Sequence, residues 1–303
     1  MPLTKMLVLI ASARTLRSLH DSKGNPMTSP RNQTRWNSLL AAVLVTAVSL
    51  TSTSAAEPAK SADERIAKVR TDLKSEDATV RQSAIGSLVH SDISPKLLAE
   101  MRTALDDRDG AVRSAAATAI GNLGAAAIPA VPQLIAGLKK DPVKEARETA
   151  ARALGRIGKA APDEKSVIGP LRAASQDDAD PVTRVVSHGA LAMIDLEVAQ
   201  QITSLRKYLH HEEALVRMKA SHALGMLGPA AKAAAPEIVN VLKLETDHHR
   251  RGYVARALGS TADPASLPAL EAALEKETDP SAQGEMRGAI ARLKALSSQK
   301  PKS

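Results

Sequence analysis

From Ser61 onward, apolar residues recur three and four positions apart, as in Val112, Ala116, Ile120 and Leu123, a spacing that places them on one helical face. The same stretch then returns along the chain. Clear copies run Asp109-Gly-Ala-Val-Arg-Ser-Ala-Ala-Ala-Thr-Ala-Ile-Gly-Asn-Leu-Gly124, Ala146 to Gly158, and Val216 to Gly228. Anchored on the large apolar residue late in each copy, the series is Leu88, Ile120, Leu154, Leu191, Leu224, Leu258 and Ile290, in steps of 32, 34, 37, 33, 34 and 32 residues. A second helical pattern precedes each copy, for example Val131/Leu134/Leu138 and Ile238/Val239/Leu242. Pro95, Pro132, Pro170, Pro236 and Pro268 stand near the starts of these preceding helices, where a first turn tolerates proline. Ser61-Ala-Asp-Glu64 reads as a capping box opening the first helix. Gly124, Gly158 and Gly228 stand where a helix ends in the left-handed conformation. No segment alternates as a strand does. The expected fold is all-α, an α-solenoid of about seven antiparallel helix pairs.

Two further residues keep the register. An arginine lies seven positions before the anchor in six copies (Arg81, Arg113, Arg147, Arg184, Arg217 and Arg251), and Gln283 takes that place in the seventh. Four residues earlier stands an acid: Asp77, Asp109, Asp180, Glu213, Asp247 and Asp279. The third copy departs, with Val143 at that place and Asp141 two residues before it. Such an acid can cap the second helix, and it also has the spacing of an intrahelical ion pair. A structural row serving a repeated interface is the expected role; a basic row for substrate is the other reading. The glycine after the anchor (Gly121, Gly155, Gly225 and Gly259) costs a helix about 1 kcal/mol against alanine, which points to a neighbouring helix passing close by.

The Asp-x-x-Val-Arg-x-x-Ala-x-x-Ala-Leu-Gly pattern resembles HEAT repeats, in particular the short variety found in phycobilisome-lyase HEAT-like proteins, over about residues 61–296. The resemblance implies an armadillo-like helical superhelix whose second helices line a concave face. It also implies that the Asp and Arg rows bridge neighbouring repeats. The family includes scaffolds, adaptors and a few enzymes.

Composition changes the picture mainly at the N-terminus. Residues Leu39 to Leu50 form an uncharged apolar run, preceded by Arg31 and Arg35 and followed by Ser54-Ala55-Ala56. That is the layout of a secretory signal peptide starting at Met27, with an upstream extension of 26 residues; an uncleaved anchor is the alternative. The expected organisation is a leader over 1–56, a repeat domain over 57–296 and a disordered basic tail over 297–303. The expected location is periplasmic or secreted, as a monomer with no stable membrane span once the leader is removed. The leader holds six of the 41 Lys/Arg and one of the 33 Asp/Glu, leaving 35 against 32 for the rest. That near-neutral balance, with Tyr208 and Tyr253 as the only non-histidine aromatic residues there, argues against a nucleic-acid track.

No cysteine, His-Glu-x-x-His or Gly-x-Ser-x-Gly is present, so no catalytic residue is assigned and no cofactor is expected. His210, His211 and Glu212, with His248 and His249 in the next repeat, are candidate metal ligands; polar turn residues are the plainer reading. Deoxyhypusine hydroxylase, a HEAT-like di-iron enzyme, carries several His-Glu pairs, whereas this chain offers one, His211-Glu212. Registering the repeats places Glu148, Val185 and Met218 at one outward position of the second helices. Lys219 and Tyr253 share the next position, and Arg152, His222 and Arg256 another. Lys219, His222, Met226, Tyr253 and Arg256 then form a candidate partner-binding patch, of residue types favoured at interfaces. The expected function is an exported non-enzymatic scaffold for a protein or peptide; the alternative is a HEAT-like enzyme of the bilin-lyase or metal-dependent hydroxylase kind.

Overall fold

The structure, a computed structural model, describes residues 61–195 and 197–298; the expected leader and residues 299–303 lie outside them. Among the described residues are fourteen α-helices and no strand. They alternate as first and second helices of seven pairs: α1 (Ala62–Asp72) with α2 (Ala78–Gly86), α3 (Leu98–Ala104) with α4 (Gly110–Asn122), and α5 (Val131–Lys140) with α6 (Lys144–Ala160). Then come α7 (Ile168–Asp177) with α8 (Pro181–Met193), α9 (Val198–Tyr208) with α10 (Ala214–Met226), α11 (Ala235–Leu244) with α12 (His248–Ser260), and α13 (Leu267–Lys276) with α14 (Pro280–Ser298). Helix α14 extends through Ser298, so Ser297 and Ser298 are helical and not part of a disordered tail. No described helix is long and apolar enough to cross a membrane.

Local chemistry sets the helix ends. Ser61 Oγ accepts from the Glu64 amide at 3.2 Å, and the Glu64 carboxylate accepts from the Ser61 amide at 2.7 Å. Asp77, Asp109, Asp180 and Asp247 cap α2, α4, α8 and α12 by accepting from amides two or three residues on. Gly124 and Gly228 adopt φ of 56° and 60°, the left-handed turn expected of them. Gly158 does not. It lies inside α6, which runs on to Ala160 and ends before Pro162. A side-chain carbon there would sit 2.7 Å from Ile194 Cγ2, so this glycine clears a neighbour instead of turning the chain.

The second helices pack extensively against one another, while the first helices scarcely touch each other, so the second helices form the closely packed layer of the stack. A side-chain carbon at Gly121, Gly155, Gly225 or Gly259 would come within 2.9 Å of backbone atoms of Ala153, Ala190, Ala257 or Ala289 on the next second helix. Those glycines set the close approach. The core between them is built of Leu, Ile, Val and Ala, with Leu134, Leu154, Leu171 and Leu224 fully buried.

The arginine row joins repeats, but not through the acids four residues earlier. Asp109 is committed to the amides of Ala111 and Val112, so Arg113 reaches forward. Its Nε and Nη2 both donate to the Asp141 carboxylate at 2.7 Å, and Nη1 donates to the Asp107 carbonyl. Arg81 meets Asp107, Arg147 meets Asp178, and Arg251 meets Glu277 in the same bidentate way. Each acid stands two residues before the next second helix's cap and also accepts that cap residue's amide. One carboxylate therefore ties its own turn and the preceding repeat together. Burial alone would raise the Asp141 carboxyl, but the Arg113 guanidinium and the Val143 amide outweigh it and hold it below its usual range.

Glu277 shows the same balance more strongly: the Arg251 hydrogen bonds bring its carboxyl from 4.5 down to about 2. A depressed carboxylate contributes its stability above its unfolded value and loses it as pH falls through the folded one. The α12–α14 seam is therefore expected to loosen between about pH 4.5 and pH 2. Hydrogen exchange across that window should show it, and Glu277→Gln should remove this part of the acid sensitivity.

Candidate functional site

Both packing devices lapse between the fourth and fifth repeats. At the position of the close-approach glycine, α8 carries Ala192. The tight contact moves back to Gly189, where an added carbon would meet Ala223 Cβ at 3.2 Å, looser than at the seams of Gly121, Gly155, Gly225 and Gly259. The register position of the acid that would face Arg184 is His211, whose Nδ1 accepts the Glu213 amide at 3.1 Å. Arg184 turns instead to the Tyr208 hydroxyl at 3.2 Å and the Asp178 carbonyl. At the next seam, Arg217 bonds only the carbonyls of His211 and Glu212 among the described residues, and its Nε finds no partner among them. The apolar core changes over here too: Leu191 packs with the earlier repeats, Val182 and Val185 with the later ones, and Val186 touches both.

A cleft of about 360 Å³ opens at this seam on the second-helix face. Gly189, Ala190 and Met193 of α8 and Met218 and Ala223 of α10 line its apolar part. Lys219, His222 and Met226 of α10, Tyr253 of α12 and Arg152 of α6 complete it. Arg256 stands over the Tyr253 ring at 4.7 Å, a cation–π contact, and pairs with Glu285 at 3.4 Å. The structure thus brings four of the five candidate patch residues to one cleft, with Arg256 at its edge. Of the outward trio, Glu148 bridges the cleft's cations: Lys219 donates to it at 2.5 Å, and Arg152 donates to the same oxygen. Met218 lines the cleft, but Val185 is fully buried, because α8 turns that residue into the core of the later repeats.

Three of the seven large apolar side chains left exposed among the described residues, Leu215, Met226 and Tyr253, line this cleft. Met226 is 49% exposed and Tyr253 47%, although most large apolar residues of the repeats are buried. Burial, then the cations Arg256, Arg152 and Lys219, push His222 down to about 4, so its imidazole is neutral at pH 7. It is a neutral ring among cations, able to donate one hydrogen bond and accept another. A second cavity, of about 570 Å³, lies at the first-helix side of the same seam. Its polar walls are matched to each other: His188 Nδ1 lies 2.7 Å from Gln201 Oε1, and Arg172 pairs with Glu197 at 3.2 Å.

The histidine candidates do not converge. His210, His211 and Glu212 occupy the turn between α9 and α10, whereas His248 and His249 are the first residues of α12. His248 lies 3.8 Å from Asp279 of the next repeat, and its ring centroid is 4.1 Å from that of His249, the two rings tilted by 43°. Among the described residues, no three His, Asp or Glu side chains gather as ligands for a metal ion.

The family model for HEAT repeats matches residues 66–155 and 202–291, together more than half of the chain. No curated protein matches. Among solved structures, the chain is similar to the CpcE–CpcF complex of phycocyanin lyase from Nostoc sp. PCC7120, at 23% identity over 79% of this chain and 97% of that one, with a TM-score of 0.48. It is similar to human deoxyhypusine hydroxylase in complex with glycerol at 22% identity over 77% and 97%, with a TM-score of 0.36. It is similar to importin beta at 16% identity over 76% of this chain and 36% of that one, with a TM-score of 0.40.

Proposed function

The chain belongs to the HEAT-repeat family, and from that premise we propose that it is an exported, non-enzymatic scaffold holding a protein or peptide partner on its second-helix face. The observation that carries this reading is the α8–α10 cleft, where Lys219, His222, Met226 and Tyr253 meet around an apolar floor. A stacked repeat offers a long continuous surface, and here one stretch of it leaves large apolar side chains unburied. Tyrosine, methionine and arginine are the residue types that concentrate binding energy at such surfaces. Export rests on the sequence of residues 27–56, with its basic start, apolar run and small residues at Ser54-Ala55-Ala56.

The test is affinity for a partner isolated from the native envelope fraction. Tyr253→Ala and Arg256→Ala are each expected to weaken binding about tenfold, in the range of interface anchors, while leaving the melting curve close to that of the parent. Binding unchanged in both variants would remove the cleft from the interface.

A further inference from the structure

We propose that the α8–α10 cleft takes an acidic peptide segment that inserts one large apolar side chain. This deepens the reading that the partner lies on the second-helix face, and commits that face to one chemistry.

The floor argues for the apolar insertion. Three methionines, Met193, Met218 and Met226, line it, and thioether side chains adapt to the shape of what they receive. The volume, about 360 Å³, is at the small end of ligand pockets and suits a single bulky side chain rather than a helix. The opening is built into the sequence, because α8 has Ala192 where four other second helices have glycine, and so keeps its neighbour further off.

The rim argues for the acid. Arg152, Lys219 and Arg256 surround the mouth, against two carboxylates, Glu148 and Glu285. Arg156, one turn beyond Arg152, spends its charge on the neutral Asn122 side chain. Positive charge is thus in surplus over a low-dielectric floor, which focuses the field on the cleft. His222 adds a neutral hydrogen-bonding ring among those cations. The chain's own segments are poorly matched to that charge. Residues 1–56 carry six Lys/Arg and one acid, and the remainder of the chain is also net positive, so neither the leader nor a second copy brings an overall complementary charge.

Display of random peptides on the full chain tests this. Peptides enriched on the protein are expected to carry Asp or Glu beside one Phe, Trp, Leu or Met. Their affinity should fall with added salt. Changing the acids of an enriched peptide to amides should weaken it about tenfold, the loss of one charge-assisted hydrogen bond. Arg256→Gln and Lys219→Gln should each weaken it several-fold. Two variants guard against one misfolding, since Lys219 also pairs with Glu148. Enrichment of neutral or basic peptides that still require Tyr253 would overturn the acidic assignment and leave the second-helix face standing. No enrichment, or peptides insensitive to both variants and to Tyr253→Ala, would overturn the inference and count against that face as well.

Discussion

Arg113→Ala is expected to destabilise the protein by about 3 kcal/mol, the usual cost of removing one partner from a buried ion pair. The guanidinium is only 13% exposed and its Asp141 partner 7%. Without the arginine, Asp141 keeps the Val143 amide but loses two charge-assisted hydrogen bonds and stays buried. The Asp107 carbonyl loses its donor as well. For a domain of this size the melting temperature should fall by about 6–12 °C. Extensive helix packing joins neighbouring repeats, so hydrogen exchange should accelerate first in α4 and α6. Arg184→Ala is the matched control. It has no acid across its seam, only the Tyr208 hydroxyl and backbone carbonyls, and should cost about 1 kcal/mol. Equal losses in the two variants would show that the inter-repeat carboxylate contributes nothing beyond the arginine's own turn.

Gly259→Ala is the second large effect, and its sign runs against helix propensity. In an open helix alanine gains about 1 kcal/mol over glycine. Here the new carbon would lie 2.6 Å from both Cα and Cβ of Ala289, and a backbone atom cannot step aside. Helices α12 and α14 must separate, loosening the packing of Leu258, Met286 and Ile290. Overpacking of this kind costs about 1–3 kcal/mol, so the variant should melt lower than the parent. Gly288→Ala on α14 meets nothing within 4 Å and should instead raise stability by up to about 1 kcal/mol. A thermal melt of the pair separates close approach from propensity.

The repeat period and the fourteen helices are legible in the sequence because each copy states its own apolar face, and seven copies repeat it in register. The partner of the arginine row is not the acid four residues earlier but one in the next repeat, two residues before the next cap. Asp109 and its equivalents have the spacing of an intrahelical pair, but the free amides of the first turn claim them. The true partner, such as Asp141 for Arg113, lies 28 residues on, in the next repeat. Only the third copy discloses it, since Val143 replaces the cap residue while Asp141 stays. Lys219, His222, Met226 and Tyr253 follow from register alone. That they surround a cleft does not: the seam combines Ala192 in place of glycine, no acid opposite Arg184 and a buried Val185, all properties of a helix pair. The fourth repeat also lies outside both stretches matched by the family model, 66–155 and 202–291.

The proposed partner sits on the second-helix face at the α8–α10 seam. The most direct measurement places a photo-crosslinking residue at Met226, in the cleft, and separately at Lys207, on first helix α9, and captures adducts from the native envelope fraction. A discrete adduct is expected from position 226, near one partner per chain and lost with Tyr253→Ala, and none from position 207. The same adduct from position 207, with none from 226, would contradict that placement.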